Sequence, residues 1–293
     1  TLGWKSMLYL EATLRGDKSS TLPKSNNTYV YPSVTASWLF SELLKDKAPW
    51  LSYGKLRAGY ARVGNDTDPN QLLNTYSPTT AFGTPTYLYN TTAKNPDLKP
   101  EMTKSLEVGA NLQFFKNRIG IDAGYFQSDT KDQILALPVS SATGNSFKFQ
   151  NVGNMRSKGF EVALNIVPIK TTDFNWGIDL NWSNPRSKVT ELASGVENIT
   201  IGSFQGGVTV NASLNDDYGT IKGSDFIYDP NGNKIIGSNG KYLTTNTNTV
   251  IGNMQADWFG SVTNRVSYKD LSLSFQIDVR QGGEIFSLDQ YYG

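Results

Sequence analysis

The sequence predicts an all-β chain that forms part of a transmembrane antiparallel β-barrel. Three observations predict it. Apolar and polar side chains alternate over roughly nine segments, the connections between segments alternate short and long, and large aromatic residues gather at segment ends.

The segments run in order Ser6–Arg15, Pro32–Phe40, Leu51–Val63, Thr103–Phe115, Ile119–Ser128, Ser157–Val167, Phe174–Asn184, Asp257–Ser267 and Leu271–Gln281. In the fourth, Leu106, Val108, Ala110, Leu112 and Phe114 oppose Ser105, Glu107, Gly109, Asn111 and Gln113. After Lys116-Asn117-Arg118 the fifth resumes with Ile119, Ile121, Ala123 and Tyr125 against Gly120, Asp122, Gly124 and Ser128. The seventh sets Phe174, Trp176, Ile178, Leu180 and Trp182 against Asp173, Asn175, Gly177, Asp179 and Asn181. The last alternates in the same way, from Leu271 against Ser272 to Val279 against Arg280. A side-chain period of two gives each strand one apolar and one polar face. The polar set is too polar for the inside of a soluble sandwich, and the apolar set is too continuous to face water.

The connections Ser41–Trp50, Lys116–Arg118, Pro168–Asp173 and Tyr268–Asp270 are short. Gly16–Tyr31, Gly64–Met102, Asp129–Arg156 and Pro185–Ala256 are longer, and the two kinds strictly alternate. Outer-membrane barrels have this asymmetry, with short periplasmic turns and long external loops. Trp50, Trp176 and Tyr268 fall at the short-turn ends, and Tyr60, Trp182 and Trp258 toward the long-loop ends. Barrel girdles place amphipathic rings at both interfaces in this way.

Composition agrees. A hydrophobic fraction of 38% is low for a packed globular domain, whereas 12% aromatics on an Asn/Thr/Ser-rich background favours strands over a helical bundle. No run approaches the ~20 apolar residues of a membrane helix, an absence that β-barrels share. The net charge of +1 comes with no basic stripe, so nucleic acid is not an expected partner. Zero Cys removes disulfides, thiol catalysis and thiolate metal sites, and zero His removes the commonest general base and metal ligand. These two absences disfavour an ordinary hydrolase or metalloenzyme and leave catalysis by carboxylates alone open, but no carboxylate pair stands out. No catalytic residue, cofactor or metal site is assigned, and the chain is not expected to be an enzyme. The start at Thr1-Leu2-Gly3-Trp4 reads as internal sequence. An open sheet of about nine strands would leave unpaired edges in lipid, so residues 1–293 are expected to be a piece of a wider barrel.

Several blocks carry a family resemblance. They are Leu8–Asp17, Tyr31-Pro32-Ser33-Val34 leading to Trp38, Leu56–Tyr60 followed by Gly64-Asn65, and Asn95-Pro96-Asp97-Leu98-Lys99-Pro100-Glu101 with Thr103 and Glu107. Asp132-Gln133-Ile134, Ala142-Thr143-Gly144, Asn151-Val152-Gly153, Lys158–Glu161, Gly252-Asn253 and Tyr268–Leu273 continue the series. Together they resemble the SusC/RagA family of TonB-dependent outer-membrane transporters of Bacteroidetes-type Gram-negative bacteria. The resemblance implies a plugged barrel of about 22 strands, of which this chain supplies a middle-to-late part, without the plug, N-terminal extension or final strands. It also implies a SusD-like surface lipoprotein over the mouth, TonB acting through a plug and TonB box, and a dimer of transporter–lipoprotein pairs. The implied cargo is a large nutrient, most often an oligosaccharide or glycan, and for RagA-type members a peptide. One departure is Ala256, where the family pattern has Pro, with an effect expected only on local loop geometry.

Two sets of residues are candidates for contact with cargo. Asn65, Asp66 and Asp68 open an external loop that continues into Tyr76, Phe82, Tyr87 and Tyr89, a mixture suited to hydrogen bonding and stacking on sugars. Such acids equally cap strand ends and turns. Arg57, Glu107, Asn111 and Asp122 are the lumen-wall candidates, with Arg15–Asp17 and Arg57–Glu107 as possible pairs across the inner wall. Asp229-Pro230-Asn231-Gly232-Asn233 superficially resembles a calcium loop, but its Gly comes too early and the closing Glu is missing. It reads better as a hairpin turn between Phe226–Tyr228 and Ile235-Ile236. Glu284, Asp289 and Tyr291 are further polar candidates without a distinct pattern. The competing readings are a SusC-like structural subunit of an outer-membrane assembly and a soluble carbohydrate-binding sandwich.

Overall fold

The computed structural model describes residues 1–292, with side chains through residue 290, as two compact units, Thr1–Lys158 and the residues from Gly159 onward. The first unit contains β1 (Leu2–Trp4), β2 (Leu8–Lys18), β3 (Thr28–Leu39) and β4 (Leu51–Asn65), then β5 (Tyr76–Ala81), β6 (Thr84–Tyr89) and β7 (Thr92–Ala93). It continues with β8 (Glu101–Phe114), β9 (Ile119–Lys131), β10 (Ile134–Pro138) and β11 (Phe147–Asn151), and β12 (Asn154–Lys170) crosses into the second unit. There follow β13 (Phe174–Ser183), β14 (Arg186–Glu191), β15 (Asn198–Ser203), β16 (Thr209–Ser213), β17 (Thr220–Gly223), β18 (Thr249–Asn253), β19 (Trp258–Tyr268) and β20 (Leu271–Gln281). Each of the nine expected segments falls on one long strand: β2, β3, β4, β8, β9, β12, β13, β19 or β20.

In the first unit β1, β2, β3, β4, β8 and β9 form an antiparallel meander in that order. In the second, β12, β13, β19 and β20 do the same. Register carries the alternation across strands. Leu56, Ala110 and Ala123 share one row and Lys55, Asn111 and Asp122 the next, so the faces stay separate through β4, β8 and β9. The polar face is laddered by short hydrogen bonds, Thr13–Ser33 at 2.5 Å, Thr103–Thr130 at 2.9 Å and Ser105–Ser128 at 2.9 Å.

Apart from the turn at residues 40–44, which lies over Gly54 and beside Leu56 and Leu112, the apolar face has no protein layer against it among the described residues. Leu10, Val34, Leu56, Tyr60, Leu106, Val108, Leu273, Phe275 and Ile277 are all exposed, which in water would be one large unstable patch. The buried apolar residues, Leu22, Ala48, Leu98, Leu137, Val189, Val208, Ala212, Ile221 and Ala256 among them, lie in connections and short loop strands, with Tyr31 on β3 the exception. The fold buries its core in its loops and shows its long strands to another solvent.

The expected turns are present with two differences. Ser41–Trp50 contains a 3-10 turn, Phe40–Leu43, whose Phe40 ring lies over Gly54, where a Cβ would come within 2.6 Å of Cζ. The turn expected at Pro168–Asp173 is shorter, because β12 continues to Lys170 through a bulge between Ile166 and Ile169. Pro168 cannot donate to the ladder, and the bulge accommodates it while keeping Ile169 opposite Trp176. Between β8 and β9 the chain reverses through Phe115, Lys116 and Asn117 at φ 53, 57 and 63. This left-handed run is closed by Arg118 N–H donating to the Phe114 carbonyl at 2.9 Å.

The long connections are structured. Residues 185–256 contain the four-stranded antiparallel sheet β15–β16–β17–β18, more than the single hairpin expected there. The block Asn95–Glu101 is a stiff tie, as its two prolines require. Leu98 is fully buried, and its carbonyl accepts from Asn26 at 3.2 Å. Lys99 exchanges two hydrogen bonds with Asn151 at 2.8 and 2.7 Å. Glu101 accepts from the Ile134 N–H at 2.8 Å.

Candidate functional site

The polar face of the first unit holds a charged cluster built by register. Arg57 on β4 faces Gly109 on β8, which faces Gly124 on β9. With no side chain at Gly109, the guanidinium lies over the strand. A Cβ there would come within 2.9 Å of Arg57 Cζ. Arg57 therefore reaches Asp122 on β9 with two hydrogen bonds, at 2.6 and 3.0 Å, and Asn111 donates to the same carboxylate at 2.9 Å. Three of the four lumen-wall candidates thus meet. The expected Arg57–Glu107 pair is not the one formed, because the glycine row opens the way to Asp122. Glu107 lines the same groove of about 340 Å³, with Glu11, Lys55 and Arg57. Arg15 and Asp17 pair at 2.9 Å as expected.

The second unit contains a cluster of the same make-up that sequence reasoning missed. Arg265 on β19 pairs with Asp179 on β13, and Asn165 on β12 donates to the same Asp179. Asn165 and Asp179 are register partners across a short turn, as Asn111 and Asp122 are. That shared pattern of Asn before a short turn and Asp after it was the available signal. On the same face Thr263, Gln276 and Asp278 form a chain, at 3.3 and 2.7 Å.

The loop candidates are divided among different tasks. Asp66 accepts from Ser19 and from Thr21 Oγ1 at 3.2 Å, which fixes the connection between β2 and β3. Asn65 donates to Glu101 at 3.3 Å. Asp68 is exposed. Tyr76 lies apart from them on the β5–β6 hairpin, opposite Tyr89, with ring centroids 5.7 Å apart. Phe82 caps that hairpin fully exposed at φ 52. Asn65, Asp66 and Tyr76 thus engage different neighbours, Glu101, Ser19 with Thr21, and Tyr89 respectively.

Asp229 turns its own loop. Its carboxylate accepts from the N–H groups of Asn231 and Asn233, both at 2.8 Å, and from the Asn233 side chain at 3.2 Å. These donors, the Asn233 backbone foremost, hold its pKa below the ordinary carboxylate value. The Tyr228–Lys234 bridge brackets it, and the Ile235 N–H donates to the Ile227 carbonyl at 2.9 Å, so the hairpin reading fits. Among the described residues no cluster of His, Cys, Asp or Glu is suited to a metal. Glu284 accepts from the Asn253 N–H at 2.7 Å, Asp289 sits on the short helix Leu288–Tyr292, and the Tyr291 side chain is outside the described residues. Ala256 is buried beside Asp257, whose N–H pairs with the Gln281 carbonyl at 2.7 Å.

Comparison with known proteins gives a consistent picture. The family described as TonB dependent receptor-like, beta-barrel matches residues 1–278. "TonB-dependent receptor P26" of Formosa agariphila is 28% identical over 97% of this chain and 31% of its own length. "TonB-dependent receptor SusC" of Bacteroides thetaiotaomicron is 29% identical over 90% of this chain and 29% of its own. A solved structure of the RagAB peptide importer in its closed-closed state superposes with a TM-score of 0.78. It does so at 20% identity, over 96% of this chain and 32% of that one. The chain thus spans about a third of the length of the relatives it matches.

Proposed function

The chain belongs to the TonB-dependent receptor-like β-barrel family, an outer-membrane family, and on that premise we propose that it is a middle-to-late part of the wall of a nutrient importer. The cargo is an oligosaccharide or glycan, delivered by a SusD-like surface lipoprotein and released inward when TonB pulls on a plug. Pairs of transporter and lipoprotein assemble as dimers. The observation that carries this reading is the division of the long strands into a face laddered by hydrogen bonds and ion pairs and a face of exposed aliphatic and aromatic residues. A water-filled lumen and a lipid exterior need those two faces. Arg57, Glu107, Asn111 and Asp122 then line the lumen. Asn65, Asp66, Asp68 and Tyr76 sit in loops on the cargo side, where Tyr76 offers a ring for stacking and Asp66 keeps the loop in shape.

Peptide is the competing cargo, since the RagAB structures are described as those of a peptide importer. The test is uptake of labelled oligosaccharides and of labelled peptides by cells carrying the full-length protein and its lipoprotein, with and without a protonophore. Energy-dependent uptake of oligosaccharide alone is expected. Uptake of peptide alone would reassign the cargo, and uptake of neither would favour a structural subunit.

A further inference from the structure

The apolar face of the first unit ends abruptly toward the long connections. The last mostly apolar row is Tyr60, Leu106 and Gln127. The next row on the same face is Arg62, Lys104 and Asp129, and Lys131 follows opposite Met102. Arg156 joins this edge by pairing with Asp129 at 2.6 Å. Four cations therefore share one carboxylate. Asp129 is already committed on both oxygens, one to Arg156 and the other to Gln127 at 2.9 Å.

The row is unusual in its pairing. Arg62 stands directly opposite Lys104, both exposed, and like charges facing across strands destabilise a sheet. The polar face does the reverse, setting Asp122 against Arg57 and Asp179 against Arg265. Long basic side chains at the edge of an apolar band carry their charge to the membrane surface. What relieves two facing cations there is an anion held between them. A phosphate accepts bidentate hydrogen bonds from a guanidinium and attracts an ammonium.

We infer that Arg62 and Lys104, supported by Lys131 and Arg156, bind the phosphate of a phosphate-bearing lipid in the outer leaflet, whose acyl chains lie against Tyr60, Leu106 and Val108. The inference rests on the barrel orientation proposed above, with the long connections outside. That orientation is read separately, by labelling a Lys116→Cys variant from outside intact cells. Labelling there would overturn the orientation, whereas protection keeps it.

The lipid is tested by native mass spectrometry of the full-length protein in detergent, with bisphosphorylated lipid A and its dephosphorylated form as probes. The wild type is expected to retain the bisphosphorylated probe and not the dephosphorylated one. The R62Q/K104Q double variant is expected to retain it on the order of thirtyfold less, from about 1 kcal/mol for each of the two basic residues at a membrane surface. If the double variant does not assemble, K104Q alone is measured, with a smaller loss in the same direction. Equal retention by variant and wild type overturns the site. Equal retention of the dephosphorylated probe overturns the role of phosphate, and inorganic phosphate binding as tightly as lipid A overturns the lipid.

Discussion

The nine long strands and the 185–256 connection use the same residue types in opposite ways. On the strands, Leu106, Val108, Leu273 and Ile277 are exposed. In the connection Val208, Ala212 and Ile221 are buried, together with Asn211, Ser213 and Thr220. The buried Asn211 is fully used, donating to Thr209 Oγ1 at 2.9 Å and accepting from Asn198 at 2.9 Å. The connection therefore has a small core of its own. Among the described residues the strands have no protein core on their apolar side, and on the proposed reading lipid takes its place. The difference teaches that burial is informative only relative to a solvent: exposure on β8 and burial on β16 both remove apolar surface from water.

The sharpest way to break this comparison is to place a charge on the apolar face. Ala110→Arg, in the row of Leu56 and Ala123, is expected to cost about 2–4 kcal/mol if it sits near the bilayer midplane, and to block stable insertion. Heat-modifiable gel migration of the full-length protein reads this directly. Normal assembly would mean that the face does not meet lipid. The complementary change is Asn211→Ala, which strands the donors and acceptors around it at about 1–3 kcal/mol. Faster proteolysis within residues 185–256 is expected, with barrel assembly unchanged. Loss of assembly would show that the connection is not a separate fold.

The smallest expected effect depends on pH. The Asp229 pKa is lowered in the fold, so its contribution is complete above the ordinary carboxylate range and is lost as pH falls through the lowered value. Amide protection at Asn231 and Asn233, relative to intrinsic exchange at each pH, should fall as pH drops through the lowered value and be insensitive to that drop in Asp229→Asn. An unchanged pH response in that variant would remove the assignment.

The strands were legible because a period of two is a local property that needs no knowledge of partners. The connections were not, because their order comes from contacts between distant positions. Asn26 reaches Leu98, and Lys99 reaches Asn151, links that no window of sequence contains. Charge pairing on the polar face lies between these cases. Arg15 and Asp17 are two residues apart on one strand face and could be read directly. The partner of Arg57 depends on which residue stands beside it across β8, and only the register reveals a glycine there. The loop acids were legible as a group but not by task, since Asp66 is occupied by Ser19 and Thr21 while Asp68 is not engaged in the same way.

With the polar face as the proposed lumen wall, the glycine row at Gly109 and Gly124 bears on passage through the barrel. A long basic side chain ordinarily projects from a wall and narrows the opening. Here its length is spent sideways, along the wall, to reach a carboxylate on the second strand over. Charge and countercharge then lie side by side as a dipole whose field fades quickly in water. On the proposed reading of this face as a lumen wall, an uncharged cargo would meet there a surface it can wet and slide past without being held.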